Sequence, residues 1–583
     1  MTIHPLTPRK SPMLANLSGI GAFSAVAIAS LCALIQINPP VAWLHQADAA
    51  QTANLGFLVG GFVEMVRSAW STHSPLSSLV NLLAVPTNYM EALQALDIGF
   101  PLALRAGAAI AAGALVGLKA HSMILSSMVA RPAVDHVSGP MLVAGRAAHR
   151  ALQAAWRRRF GAGALDGVAL TEGVIMPRKA ECEHMLVVGG TGAGKTTVLQ
   201  SIMGGVLQRG DKLLALDVKG DVTACLPTDH FALLSLDDGR SACWEIGRDV
   251  LDHWDAAELA IELIPDTSDP SWSAGARRVL TGLIMHLQQG ASEVEHGWSW
   301  TDLDLLLQKP VEELHTLLAD EDPGAAAFID VTREETRKQA LSFYLVLIAN
   351  AGRAIASCAE MGRVRGKGFS IREWLAGRGG AQALILRQSQ RRPELSAALI
   401  RIALKLVADA AADRAAMESP TPTWIVLDEL PQIGRSTAPL RLAAIGRSAG
   451  IRLVSAVQSP AQLREILGED ATQHFLDNSI TKIIGRVAPG KTAEEISTQW
   501  IGTRTVSWLE DAGGSASGPR MERRMQDIPV ADPQMLCEGL GIARDWRGRP
   551  IVRALVVGHG DVARLEWPVG RWPTRRPASQ SAR

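Results

Sequence analysis

The chain has 583 residues, too many for a single core, so two or three domains are expected. Lys plus Arg and Asp plus Glu both number 58, which excludes an overall basic protein and leaves local basic patches open. The six cysteines (Cys32, Cys182, Cys225, Cys243, Cys358 and Cys537) are scattered without a C-x-x-C pair, so neither a zinc site nor a disulfide framework is indicated.

Residues 13–37 carry no charge over a length that spans a bilayer as a helix. A secretory signal peptide is the rival reading, since Arg9 and Lys10 precede the run. A retained helix is preferred because the run exceeds a usual signal core and a second apolar segment follows at 100–118, interrupted only by Arg105. The flanks give the orientation. Arg9 and Lys10 lie before the first span and Lys119, Arg131, Arg146, Arg150 and Arg157 to Arg159 follow the second, whereas the intervening loop holds only Arg67. By the positive-inside rule both termini are cytoplasmic, 38–99 faces outward, and 1–130 is a multi-pass membrane domain. Residues 131–180 read as a basic connector. Its Trp156-Arg-Arg-Arg-Phe160 run suits a solvated juxtamembrane face, or contact with anionic lipid or nucleic-acid phosphates.

The stretch MLVVGGTGAGKTT, Met185 to Thr197, delivers an apolar strand into a glycine-rich turn with the G-x-x-x-x-G-K-[ST] spacing. Backbone N–H groups of Gly189, Gly190, Thr191, Gly192, Ala193 and Gly194 can turn inward on a polyphosphate, and a helix starting near Lys195, with Thr196 and Thr197, adds its positive dipole end. Lys195 would reach the β- and γ-phosphates of ATP, and the Thr196 hydroxyl would ligate Mg²⁺. A second strand, KLLALD, ends in the turn Asp217-Val-Lys-Gly-Asp221, at the edge where α/β sheets collect ligands.

From 256 to 375 the apolar residues fall at helical spacing, which predicts an inserted all-α domain with Trp272, Trp298 and Trp300 as packing anchors. The α/β domain, 181–255 and 376–570, resumes afterwards. Its strand WIVL ends in Asp428-Glu429, the Walker B arrangement, with Asp428 for Mg²⁺ and Glu429 to polarise water. The next strand, 451–457, ends in Gln458, suited to sensing the γ-phosphate or to an ordinary strand-end hydrogen bond. A guanidinium from a neighbouring subunit is a further expected component. Position alone does not separate Arg447 from Arg435, Arg441 and Arg452. The tail 571–583 is Pro/Arg/Ser-rich and expected to be disordered. The expected fold is therefore α/β, a P-loop nucleotide-binding domain with a mostly parallel sheet, an all-α insertion and two N-terminal transmembrane helices.

Two N-terminal spans, LVVGGTGAGKTT, LDVKGD, LDEL and GRSAGIRLVSAVQSPAQL together resemble the TraD-like coupling proteins of type IV secretion and conjugation, relatives of the FtsK/HerA translocases. Asp238, Arg240, Ser241 and Trp244, and Asp269-Pro-Ser-Trp272 with Ala276-Arg277, are similar to that group's signature. The resemblance covers most of 180–490. It implies a RecA-like core, Lys195 and Thr196 at phosphate and Mg²⁺, Asp428 at the metal, Glu429 as catalytic carboxylate, Gln458 as sensor and Arg447 as the trans-acting arginine. It also implies a homo-hexameric ATPase that moves single-stranded DNA, with its relaxase or relaxosome, into a secretion channel. The all-α domain would cap the ring at its cytoplasmic end. The tail is shorter than the extensions used for relaxosome recruitment. Alternatives are a chromosome translocase of the FtsK/SpoIIIE type, and a receptor platform for secreted proteins whose nucleotide only shapes an assembly.

Overall fold

The computed structural model describes residues 12–37, 55–70, 99–127, 134–161, 166–291, 297–363, 368–414, 421–511, 521–570 and 572–580, with 86, 88, 91, 94, 95 and 163. Most of the expected outward segment 38–99 lies outside the described residues, apart from a helix at Leu55–Trp70. The chain divides into two compact units, residues 1–136 with 506–525, and 137–505 with 526–583.

In the first unit the uncharged run forms the helix Pro12–Ile37, which packs on a second helix, Gly99–Ser127. The contact uses small residues four apart. Ala109, Gly113 and Gly117 are buried, and a Cβ on Gly113 would lie 2.8 Å from the Phe23 carbonyl oxygen and 2.9 Å from the Ala27 Cβ. Only glycine permits that approach. Ile20, Ile28, Leu104, Leu115 and Leu118 point outward and stay exposed. By length and composition Leu102–Met123 suffices to cross a membrane. The helical stretch Arg337–Met361 passes the same test but packs one face into the second unit, with Ala340, Leu347, Ala351 and Ile355 buried and Leu341 and Leu345 exposed.

The strands in chain order are β1 (Asp135–Ser138), β2 (Leu142–Ala144), β3 (Ala169–Thr171), β4 (Val174–Ile175), β5 (Met185–Val188), β6 (Lys212–Asp217), β7 (Phe231–Leu234), β8 (Cys243–Trp244), β9 (Gly368–Phe369), β10 (Ala383–Arg387), β11 (Thr423–Leu427), β12 (Ile451–Val457), β13 (Thr481–Ile484), β14 (Thr503–Asp511), β15 (Met521–Pro529), β16 (Gly541–Arg544), β17 (Pro550–Val557) and β18 (Val562–Pro568). The main sheet runs β2-β18-β17-β13-β5-β12-β11-β6-β10-β7, with β16 on β17, and a small sheet joins β1, β14 and β15. From β7 to β13 every pairing is parallel. Antiparallel β17 and β18 then extend the sheet to β2. The sheet is thus mixed, with the parallel block holding the predicted nucleotide elements.

Burial follows from this topology. The residues of β5, β10, β11 and β12 are almost all buried, as expected of parallel strands covered on both faces. Leu186, Val188, Leu214 and Leu216 face one core, while Met185, Val187, Leu213 and Ala215 face the other. The segment before the P-loop, expected as a connector, builds part of the second core: the helix Gly145–Phe160 buries Ala148, Leu152 and Trp156. Trp156 meets His559 edge to face at 5.4 Å, and Arg159 turns to Glu183 at 2.6 Å.

Helices from His253 to Arg363 form the insertion, and its two ends are clipped together by β8 and β9, paired Cys243 to Gly368 and Trp244 to Phe369. A buried Asp249 ties this neck. Its carboxylate accepts from Trp244 Nε1 (2.7 Å), Ser370 Oγ (2.6 Å) and the N–H groups of Ile371 and Arg372. Trp298 and Trp300 are buried, Trp300 against Trp244 at 5.9 Å, and Trp272 packs on Phe343.

The tail differs from the expected disorder over 572–580. Arg576 lies over the Phe231 ring at 4.8 Å, and its guanidinium donates to the Leu226 and Thr228 carbonyls and pairs with Asp229 at 2.5 Å. The Pro577 carbonyl accepts from Arg240, the Ala578 carbonyl from Arg387, and the Gln580 carbonyl from the Gly239 N–H. Composition registered the low hydrophobicity of this segment but not that its backbone finds donors on a folded surface.

Candidate nucleotide-binding site

The geometry starts at β5, held centrally between β12 and β13. Where the strand ends, Gly189 N–H donates to the Val457 carbonyl (3.1 Å) and Gly190 N–H to the Arg486 carbonyl (2.7 Å), so the neighbouring strands anchor the mouth of the loop. Gly192 and Gly194 adopt φ of +72° and +89°, a region that costs an L side chain about 1–2 kcal/mol. Gly194 is also tightly enclosed, since a Cβ there would lie 2.4 Å and 2.7 Å from the Val552 methyls. The helix Lys195–Arg209 begins directly afterwards, so its free N–H groups open into the loop.

Lys195 Nζ donates to the Gly189 carbonyl at 2.7 Å, across the space the loop encloses. Burial lowers its pKa, and the nearby carboxylates of Glu429 and Asp428 oppose that shift. β11 delivers those acids two strands away. Burial raises the Asp428 pKa to about 6, with Lys195 and Lys219 pulling it down and Glu429 and Asp217 pushing it up. A carboxylate with further acidic groups and a lysine about it suits a hard divalent cation.

β12 brings Gln458 to the same edge. Its Nε2 donates to Glu429 Oε1 at 3.1 Å, its Oε1 accepts from Thr191 Oγ1 at 3.5 Å, and its N–H is fixed by Gln462 Oε1 at 2.9 Å. A chain of polar contacts thus connects the P-loop through Gln458 to Glu429. The turn after β6 completes the floor: the Asp217 carboxylate accepts from Gly220 N–H (2.8 Å), Thr223 N–H (2.7 Å) and Thr223 Oγ1 (2.6 Å).

The sheet therefore gathers Gly189 to Thr197, Asp428, Glu429 and Gln458 at its carboxyl edge. It does not bring Arg447 there. Arg447 is exposed at the last turn of the helix Ala438–Ala449, just before β12 begins, at the amino edge. Its charge acts on Cys182 and Glu183, which precede β5. Within one chain Arg447 is thus at the wrong end of the strands for its own P-loop. Of the competing arginines, Arg452 is buried against Glu181 and the Gly450 carbonyl, and Arg441 pairs with Asp409.

Two cations at the site were missed in the sequence. Lys219, in the Asp217–Asp221 turn, acts on both Lys195 and Asp428. Arg486 follows β13, with a guanidinium nitrogen 3.8 Å from where a Gly192 Cβ would stand. The signal for both was a basic residue just after an apolar strand, but only the strand order shows that β13 adjoins β5.

The residues fit ATP and Mg²⁺: a glycine loop with positive φ at Gly192 and Gly194, a lysine aimed across it, and a half-buried carboxylate within reach of that lysine's charge for the cation. Comparisons with known proteins agree with this geometry. The unbound monoclinic form of the bacterial conjugative coupling protein TrwBdeltaN70 superposes with a TM-score of 0.59 at 22 % identity, over 77 % of this chain and 97 % of that one. TrwB in complex with ADP and Mg²⁺ gives 0.57 at 21 % identity, over 77 % and 98 %. The chain therefore shares the fold of TrwB. The coupling protein TraD of Escherichia coli (strain K12) is 26 % identical over 331 residues, which is 54 % of this chain and 43 % of TraD, less than half of that relative's length. A family model for the type IV secretion-system coupling protein DNA-binding domain matches residues 169–527, and the chain belongs to that family.

Proposed function

We propose that this protein is a membrane-anchored, ATP-hydrolysing motor that grips DNA and passes it, with its attached relaxase, to a conjugative type IV secretion channel. The observation that carries this reading is the convergence of Lys195, Asp428, Glu429 and Gln458 on one sheet edge in a chain of the coupling-protein family. Bound Mg-ATP supplies the phosphoanhydride to be cleaved and the cation that neutralises its oxygens. Lys195 exchanges the Gly189 carbonyl for a phosphate oxygen. Thr196 and Asp428 would hold the cation, and the Gly189–Thr197 backbone would position the phosphates. Glu429 accepts the proton of the attacking water, and Gln458, bonded to both Glu429 and Thr191, reports whether the γ-phosphate is in place.

Arg447 acts in trans in this reading, because it stands at the opposite edge of its own sheet. Such sharing requires an oligomer, and a homo-hexameric ring matches the family layout. The apolar pair Pro12–Ile37 and Gly99–Ser127 anchors the ring in the inner membrane, with both termini and the motor cytoplasmic. Contacts to DNA phosphates, independent of sequence, give the grip, here on single strands.

The test is plasmid transfer by a strain lacking this gene, complemented with wild type or Lys195→Ala, with membrane insertion of both checked. Transfer is expected with wild type and absent with the variant, and chromosome segregation unaffected. Transfer supported by Lys195→Ala would overturn the motor reading in favour of a receptor platform, and a segregation defect would favour a chromosome translocase. Mixing Lys195→Ala with Arg447→Ala subunits should raise hydrolysis well above that of either variant alone. Mixed oligomers without recovered activity would refute the shared site.

A further inference from the structure

His184 is the one non-glycine residue with positive φ among the described residues, at +52°, and its side chain is 2 % exposed. Such a conformation persists only where the surroundings impose it, and it marks sites that use it. Both ring nitrogens are engaged. The Leu453 N–H lies 3.1 Å from Nδ1, which must therefore accept, so Nε2 carries the proton and donates to the Ala443 carbonyl at 3.0 Å. The ring is thus a neutral, single tautomer joining three pieces of chain: the entry to β5, the start of β12, and the helix Ala438–Ala449.

The third junction bears on function. Gly446 lies against the imidazole, since a Cβ there would stand 2.6 Å from Cε1 and 2.9 Å from Nε2, and 3.2 Å from the Ile451 carbonyl oxygen. The residue after Gly446 is Arg447, and the strand that follows His184 runs in four residues to Gly189, where the P-loop begins. One buried ring therefore fixes the helix end that presents Arg447 to the strand carrying the same subunit's P-loop.

We propose that His184 is a positioning residue for Arg447, clamping the helix end from which Arg447 reaches a neighbouring nucleotide to the strand that feeds its own P-loop. The inference rests on the reading of Arg447 as trans-acting. A change at one nucleotide interface would be felt through this clamp at the next, by a rigid element two sites share.

The experiment is a cycle on the full chain in lipid nanodiscs, with steady-state ATP hydrolysis and nucleotide binding measured for His184→Phe, Arg447→Ala and the double variant. His184→Phe keeps a ring in the pocket and loses both hydrogen bonds. It is expected to lower kcat about tenfold to a hundredfold, as for a misplaced reacting group, with nucleotide affinity changed less than about twofold. On the Arg447→Ala background the same change should add nothing. His184→Gln, which keeps a donor and an acceptor, should recover most of the loss. Gly446→Ala perturbs the clamp from its other side and should reproduce the kcat defect if His184→Phe does not fold. An equal loss of kcat on both backgrounds, or a loss confined to nucleotide affinity, would overturn the positioning role while leaving Arg447 intact. Wild-type kcat in Arg447→Ala would overturn the trans-arginine reading and this inference with it.

Discussion

Gly194→Ala is the most informative single perturbation of the loop, because two separable costs meet there. An alanine at φ +89° costs about 1–2 kcal/mol in the left-handed region. Its Cβ would also lie 2.4 Å and 2.7 Å from the Val552 methyls, an over-packing of about 1–3 kcal/mol. Relieved by opening the loop, the sum of about 2–5 kcal/mol weakens nucleotide binding at about tenfold per 1.4 kcal/mol, hence about thirtyfold to more than a thousandfold. Val552→Ala removes the clashing methyls but leaves the φ cost, so it should restore part of the affinity in the double variant, with a coupling of about 1–2 kcal/mol. The assay is equilibrium titration of a fluorescent ADP analogue into the four proteins of the cycle. A double variant that binds no better than Gly194→Ala would refute the argument that β17 shapes the P-loop.

Glu429→Gln should reduce ATP turnover by about a hundredfold to ten-thousandfold with nucleotide binding retained, measured by single-turnover hydrolysis and titration. Unfolding at a series of pH values should show stability falling as pH drops. His184 and His559 are both held to pKa values of about 4, mainly by burial, against an ordinary 6.5. The unfolded chain therefore takes up protons first between pH 6.5 and about 4, costing up to about 1.4 kcal/mol per pH unit for each histidine, and the dependence flattens below. His559→Gln should shallow that slope. Deleting 572–583 strips Phe231 and the Leu226 and Thr228 carbonyls of Arg576, and should lower thermal stability by about 1–3 kcal/mol, with hydrolysis at saturating ATP retained.

The strands and the glycine loop of this edge were legible because each is local. Parallel strands buried on both faces read as short apolar runs, so LVV before the P-loop and WIVL before Asp428-Glu429 stood out, and glycine spacing named the loop between them. The insertion was legible through its helical period. What stayed hidden depends on strand order and on backbone acceptors. Arg486 is 292 residues beyond Gly194 in the chain, being 486 against 194, yet the β5–β13 pairing seats it beside the loop. Trp156 lies in a basic run that reads as a solvated connector, and it is buried because the helix Gly145–Phe160 covers β18. His184 gave no signal, as nothing in one sequence reports a positive φ. The tail's arginines looked like solvation, whereas Arg576 has carbonyls and an aromatic face to bind.

The central claim, that this edge fires an ATP-driven motor acting on DNA, is tested most directly by ATP hydrolysis of the full chain in lipid nanodiscs, with and without single-stranded DNA, for wild type and Lys195→Ala. The account predicts Mg²⁺-dependent hydrolysis by wild type, faster with DNA, and none by Lys195→Ala in either condition. Hydrolysis surviving in Lys195→Ala, or a wild-type protein that neither hydrolyses ATP nor binds DNA, would contradict it.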